Sequence, residues 1–358
     1  MIAKSEIAHH RLYNQDITHA AADGPSGVVN HLGAVQSQDY LGALWGIGLR
    51  TGNDTEAEIE RAIAKRSIVR TWAMRGTLHF LAAADIYWML DLIGPRMIAR
   101  MAGRYSQLGL DEDTFKRSRG LIVKALQQNH SLRRKDLFEL LESAGIATVG
   151  QRGIHILQRL TQEGLLCFGE RQGKQFTFVL LPEWIPPGKT MTSDQSLAEL
   201  AMRYFTSRGP ALLDDFVWWS GLATSEARAA LEVVKPNLIS LDIDGQNYWM
   251  PYAAPDSDKS PAIAHLLPAF DEYLVGYRDR SAILDAQYIL QTNAGGGMLS
   301  PTILINGQVV GTWKREFRKG SVVIRPDWFT QPSQAYKEAL STAAQRYSSF
   351  LRLPASLA

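Results

Sequence analysis

Apolar residues along this chain change spacing from helical to alternating and back, and those changes mark out its elements. The clearest stretch lies between about Asp111 and Glu183. Leu121, Ile122, Ala125 and Leu126 recur at helical spacing within Thr114 to Gln127. Ser131 then stands as an N-cap before a short helix from Leu132 to Leu141, closed by Gly145. A third helix, Gly153 to Leu160, ends near Gly164. Two strands follow, Leu165 to Glu170 and Gln175 to Leu181, joined across Gln172-Gly173-Lys174. Three helices and a hairpin with short links is the order of a winged helix-turn-helix.

The same order recurs on both sides, although the residues do not repeat. Downstream, Leu197 to Ser207, Leu212 to Trp218 and Ser225 to Val234 read as helices, the last capped by Thr224 and followed by Pro236. Leu238 to Asp242 and Gln246 to Met250 form a hairpin about Asp244-Gly245. Upstream, a helix from Ser5 to Leu12, a short one after Ser26 and a longer one from Asp39 precede strand-like Val69 to Trp72 and Thr77 to Phe80. From about His265 the pattern turns to β. Asn306-Gly307 joins Thr302 to Ile305 with Gln308 to Trp313, Ser321 to Arg325 adds a strand, and Gln334 to Leu351 reads as a terminal helix. The expected class is therefore α+β. Three tandem winged helix-turn-helix domains (1–108, 109–188 and 189–258) precede a β-barrel-like domain (259–358). Pro182 to Gly188 and Ala253 to Pro261 are the natural linkers, and Asn293 to Met298 is a mobile loop.

Composition changes this picture little. The 358 residues are 46% hydrophobic and 21% charged, enough for two or three packed cores. No run reaches the roughly 18 apolar residues of a membrane helix, and the N-terminus lacks a secretory signal. Cys167 is the single cysteine and lies in the apolar run Leu165-Leu166-Cys167-Phe168, which reads as a buried structural thiol in a reducing cytosol. Net charge is only +2, so the distribution of charge matters more than its sum. Arg96, Arg100 and Arg104 share one helical face. Further basic clusters are Arg61/Lys65/Arg66/Arg70, Lys116/Arg117/Arg119, Arg133/Arg134/Lys135 and Lys314/Arg315/Arg318/Lys319. Each alone reads as a solvated face. Together they point to a basic surface balanced by acidity elsewhere.

Three stretches carry candidate chemistry. Serine-hydrolase elbows, zinc-protease motifs and paired Cys-x-x-Cys are absent from the sequence, and the glycine-rich Asn293 to Met298 lacks the Gly-Lys-Ser/Thr ending of a P-loop. Asp242-Ile243-Asp244-Gly245 lacks calcium-loop spacing, and His9-His10 reads as a surface pair rather than a metal site. No metal or cofactor is expected. Gln36-Ser37-Gln38 stands out instead. Side chains two apart share a side only in extended backbone, so the two amides converge only if the segment lies outside a helix, with Asp39 as the N-cap of the next one. Glutamine does not titrate, so such a site suits a reaction needing little acid or base help. From the residues alone, two solvated glutamines are the plainer reading.

Arg70 to Phe80 packs an aromatic, an arginine, a hydroxyl and a histidine beside Gly76. Either a wing strand around a core Trp72, or a phosphate or base contact by Arg75 with Thr77 and His79 as neighbours, accounts for it. In Leu266 to Arg280, Asp271 is placed to brace Arg278 or Arg280, either of which could instead meet a phosphate.

Val35-Gln36-Ser37-Gln38-Asp39, Thr71 to His79, Pro268-Ala269-Phe270-Asp271 and Val309-Val310-Gly311-Thr312-Trp313 together resemble the bacterial winged-helix DNA glycosylases of the AlkZ/YcaQ group, in family order across nearly the whole chain. The resemblance implies tandem winged helices and a β-barrel around duplex DNA, and removal of alkylated purines, including crosslinked ones. It implies a catalytic motif of glutamine, an apolar residue, then glutamine or aspartate. Gln38 places this chain nearer the AlkZ-like branch, while Ser37 departs from the apolar middle position. An N7-alkylated purine is cationic and leaves without protonation, so Gln36 and Gln38 need only hold the attacking water.

The expected protein is then a monomeric, cytoplasmic, nucleoid-associated monofunctional glycosylase. Arg75, Thr77, His79, Arg96, Arg100, Arg104, Arg278, Arg280, Lys314 and Arg315 would meet the DNA. The alternatives are a non-enzymatic DNA-binding regulator, which tandem winged helices also suit, and a family member that only senses lesions.

Overall fold

The computed structural model describes residues 4–188, 190–251, 262–295 and 297–358. The expected linker from Ala253 to Pro261 lies outside them. Contacts divide the chain into two compact units, one made of Met1–Glu60 with Leu197–Ala358 and the other of Arg61–Ser196.

The Arg61–Ser196 unit holds the three helices and hairpin anticipated for 109–188, with an additional short strand at Leu132–Arg133. Its longer helices are Ile86–Gln107, Glu112–Asn129, Arg134–Ser143 and Arg152–Gln162. Ser131 does not cap the third of these. Arg133 holds the N-cap position, and Asp136 reaches back to accept from its N–H at 3.0 Å. Five strands of this unit lie in the order Leu78–Ala82, Ile68–Trp72, Leu166–Phe168, Thr177–Leu180, Leu132–Arg133, all antiparallel. Trp72 packs into the core at 5.0 Å from the Phe168 ring, beside Phe115, Ile122, Leu137 and Leu157. Cys167 is fully buried, and burial raises its thiol pKa far above the usual range. Arg70, counted with a basic cluster on sequence, is also buried. Its guanidinium lies 4.1 Å from the Phe176 ring and 4.9 Å from Phe168, because alternation along the strand turns position 70 onto the packed aromatic face.

The other unit combines helices with an open sheet. Helices Lys4–Asn14, Gly24–Leu32 and Tyr40–Thr51 join Ser193–Arg208, Leu213–Ser220 and Thr224–Val234, followed by the hairpin Ile239–Ile243 with Gln246–Met250. Five strands then lie in the order Ala355–Leu357, Ser321–Trp328, Gln308–Arg318, Thr302–Ile305, Ala264–Leu267. The two end strands do not pair with each other among the described residues, so the sheet is a half-barrel rather than a closed barrel. Its hairpin turns at Asn306-Gly307, with φ of 48° and 82°, as a turn with two left-handed residues requires. Asn293–Gly295 and Met298–Leu299 pair as a small antiparallel hairpin, where sequence had pointed to a mobile loop.

Helix Gln334–Leu351 packs on the Ala264–Leu267 strand through Leu340, Ala343, Tyr347 and Phe350. Trp45 lies 5.0 Å from Tyr347 and 5.1 Å from Phe350, ring to ring. Gly48 is needed here: a Cβ at that position would meet the Phe350 ring at 2.5 Å. The indoles of Trp45 and Trp313 donate to the successive carbonyls of Leu266 and Leu267, at 2.6 and 2.8 Å. His10 is buried, not part of a surface pair, and burial together with His9 lowers its pKa.

His265 lies within this packing, and neither of its ring nitrogens has a hydrogen-bond partner among the described residues. Burial, reinforced by Arg346 and Arg50, lowers its pKa to about 3. The unfolded chain binds that proton near pH 6.5, whereas the fold refuses it until about pH 3. Stability from the neutral ring is therefore complete above pH 6.5 and is lost as pH falls through that window, by about 1.4 kcal/mol per pH unit. His265→Leu is expected to flatten this loss between pH 6.5 and 4 in thermal melts. An unchanged acid slope would show that other groups set it.

Candidate active site

Helix Gly24–Leu32 ends at Gly33, whose φ of 74° turns the chain out of the helix. Val35–Gln36 is extended, Gln38 and Asp39 form a bend, and the next helix runs Tyr40–Thr51. The glutamines thus lie outside any helix, as convergence requires. Gln36 is buried at 6% exposure, Ser37 is fully buried and Gln38 is exposed. A position with no exposure suits an apolar residue or a small one, which gives Ser37 a physical reason.

The backbone of this segment is gripped from below. Arg208 donates through Nη1 to Leu32 O at 2.7 Å and through Nη2 to Ala34 O at 3.2 Å. Glu272 Oε1 accepts from the Gln36 N–H at 2.9 Å. Its Oε2 accepts from Arg208 Nη2 at 2.6 Å and from the Trp219 indole at 2.9 Å. Asp271, one residue earlier, takes both terminal nitrogens of Arg50 at 2.8 and 2.9 Å. The remaining Arg50 donors meet Gly46 O, Gln15 O and Gln15 Oε1 at 2.8 to 2.9 Å, so all five are used. Burial alone would lower the Arg50 pKa, but Asp271 outweighs it and the net shift is upward. Tyr277 continues the network from the Gln15 side chain to Arg208 O, with burial pushing its hydroxyl up to about 12.

Asp39 occupies the N-cap position of the Tyr40–Thr51 helix, but its side chain does not bond the helix amides. Its carboxylate faces Arg315 Nη2 at 3.3 and 3.4 Å, and Arg315 Nη1 donates to Tyr347 OH at 3.1 Å. Gly42 makes room for this arrangement, since a Cβ there would lie 2.4 Å from Asp39 Oδ2.

With this geometry in place, the whole chain can be compared with known proteins. A family model described as DNA glycosylase AlkZ-like matches residues 29–350. The chain belongs to this family. An interstrand DNA cross-link repair glycosylase of Streptomyces sahachiroi is 25% identical over 371 residues, spanning 96% of each chain. The solved structure of the Streptomyces sahachiroi DNA glycosylase AlkZ matches with a TM-score of 0.82 at 22% identity, each chain covered in full.

Other residues expected in an AlkZ-like site fall into two groups. In the unit of residues 61–196, Ala73 to Thr77 forms a tight turn. Ala73 N–H bonds Thr77 O at 3.0 Å, and Arg75 and Gly76 both take positive φ, 54° and 73°. Arg75 is half-buried at its apex. Thr77 Oγ1 donates to Met74 O at 3.2 Å, and the fully buried His79 keeps Nδ1 3.0 Å from Thr77 O. These two side chains build the turn that presents Arg75. Arg96 bonds Leu92 O, Arg104 donates to Gln107 and Gln151 at 3.1 and 2.7 Å, and Arg100 is exposed.

In the other unit, Lys314 is exposed beside Arg315. Asp271 braces neither arginine expected of it. Arg278 pairs with Asp214 at the surface at 2.9 Å. Arg280 donates to Leu274 O at 2.8 Å, and burial lowers its pKa. The short Glu272–Val275 helix carries Asp271 inward toward Arg50 instead. Glu272, Arg208, Arg50 and Trp219 were not singled out from sequence. The signal was present, because Asp271-Glu272 interrupts an otherwise apolar run from Leu266 to Val275.

Proposed function

We propose that this chain is a monofunctional DNA glycosylase that hydrolyses the N-glycosidic bond of N7-substituted purines in duplex DNA. Its range would extend to bases held in interstrand crosslinks, as the Streptomyces relative's name describes for that protein. Gln36 and Gln38 position the attacking water. One observation carries the reading: the carboxylates that adjoin the motif in sequence and at the Gln36 N–H are both engaged by other groups. Asp39 faces Arg315, and Glu272 accepts from Arg208, Trp219 and the Gln36 N–H. The amides then serve a substrate whose base is already cationic and leaves without protonation, so that catalysis consists of orienting water against an oxocarbenium-like centre. Ordinary bases, poor leaving groups, would be spared.

The phosphate backbone would be met by Arg75, Arg96, Arg100 and Arg104, and by Lys314, Arg315 and the exposed Arg278. Thr77 shapes the Arg75 turn. His79, being buried, and Arg280, half-buried and bonded to Leu274 O, are left out of the contact surface. The chain would act as a monomer, with three winged-helix units tracking the duplex. Incubation with a duplex carrying N7-methylguanine, then heating in mild base, is expected to break the strand at the lesion. Binding should weaken steeply with added salt. Intact strands together with sequence-selective binding would instead identify a regulator.

A further inference from the structure

We propose that Glu272 is a positioning residue for the glutamine motif, acting through the backbone N–H of Gln36. The proposal rests on the reading of Gln36 and Gln38 as the water-holding amides. Glu272 and Arg208 hold the chain at three points within five residues: Leu32 O, Ala34 O and Gln36 N. Their side chains are 1% and 0% exposed, so water does not compete for these bonds.

Glu272 accepts from three donors. Gln36 N–H lies on Oε1, and Arg208 and Trp219 lie on Oε2. A carboxylate, which only accepts, fits all three. An amide of the same size must turn an NH2 toward one side or the other. Glutamine at 272 therefore breaks either the hold on Gln36 or the pair with Arg208. The neighbouring side chain does the matching task on the far side of the motif, since Asp271 fixes Arg50 of the Tyr40–Thr51 helix. Two consecutive carboxylates thus fix the chain before and after Gln36-Ser37-Gln38. That is how an amide pair with no charge of its own can be aimed to the tolerance that orientation demands.

The test is single-turnover base release from a duplex carrying one N7-methylguanine, with binding to the undamaged duplex measured in parallel. Glu272→Gln is expected to slow release about 10- to 100-fold, the range for losing an outer positioning contact. Binding should stay within about twofold, a split that a merely destabilised protein would not give. Gln36→Ala with Gln38→Ala is assayed beside it. If that pair releases base at the wild-type rate, the reading of the glutamine site itself fails. If the pair is slow while Glu272→Gln matches wild type, the positioning role alone is overturned. Should Glu272→Gln fail to fold, Glu272→Asp takes its place. It keeps the charge opposite Arg208 but is one methylene shorter, so the carboxylate cannot hold Arg208 and the Gln36 N–H together, and a wild-type rate would equally overturn the proposal.

Discussion

Replacing Gln36 and Gln38 together by alanine is expected to slow base release by about 10²-fold or more while leaving DNA binding nearly intact. The magnitude is that of losing orientation of a reactant, since a misplacement of about 1 Å costs on that order. Neither side chain carries charge, so the non-specific electrostatic term that dominates DNA affinity is untouched. The two single variants should differ in a second respect. Gln38 is exposed, and its loss should leave the melting temperature unchanged; Gln36 is buried, and its loss should lower it. Single-turnover kinetics with a duplex carrying N7-methylguanine, paired with thermal melts, separates the effects. Wild-type rates from the double variant would sink the water-positioning mechanism.

The largest effect on stability is expected at Arg50. Its guanidinium and the Asp271 carboxylate are each 1% exposed and paired at two points. Arg50→Met leaves Asp271 as a buried, unmatched charge, which costs about 3–5 kcal/mol. In a unit of this size that lowers the melting temperature by about ten degrees. Asp271→Asn alone leaves the arginine stranded in the same way, though the amide can still cap Tyr273. The double variant Arg50→Met, Asp271→Asn should be less destabilised than the two singles added together, because neither buried charge remains. Strict additivity in calorimetry would show that the pair is not coupled and that the loss comes from packing.

How much of this was legible in sequence depended on range. Periodicity located Gln334–Leu351 to the residue, and Asn306-Gly307 fixed its hairpin, because both signals are local. Gln36-Ser37-Gln38 was visible as a motif, and its place outside the next helix followed from Asp39. The use of Asp39 was not visible, since its partner Arg315 lies 276 positions away. The same limit applied to Asp271. Sequence offered two arginines within ten residues, and the fold chose a third, 221 positions upstream. His79 and Arg70 were misjudged for another reason. Polar residue types suggest exposure, but here both strands are covered on both faces, which places both residues inside.

The Gln36–Glu272 bond also has a consequence in time. Its two ends are separated by 236 positions, so a ribosome adding about 5–20 residues per second delivers Glu272 roughly ten to fifty seconds after Gln36. Through that interval the segment before the Tyr40–Thr51 helix exists without its carboxylate anchor. The two glutamines are made first, and they wait for the latter part of the chain to anchor them.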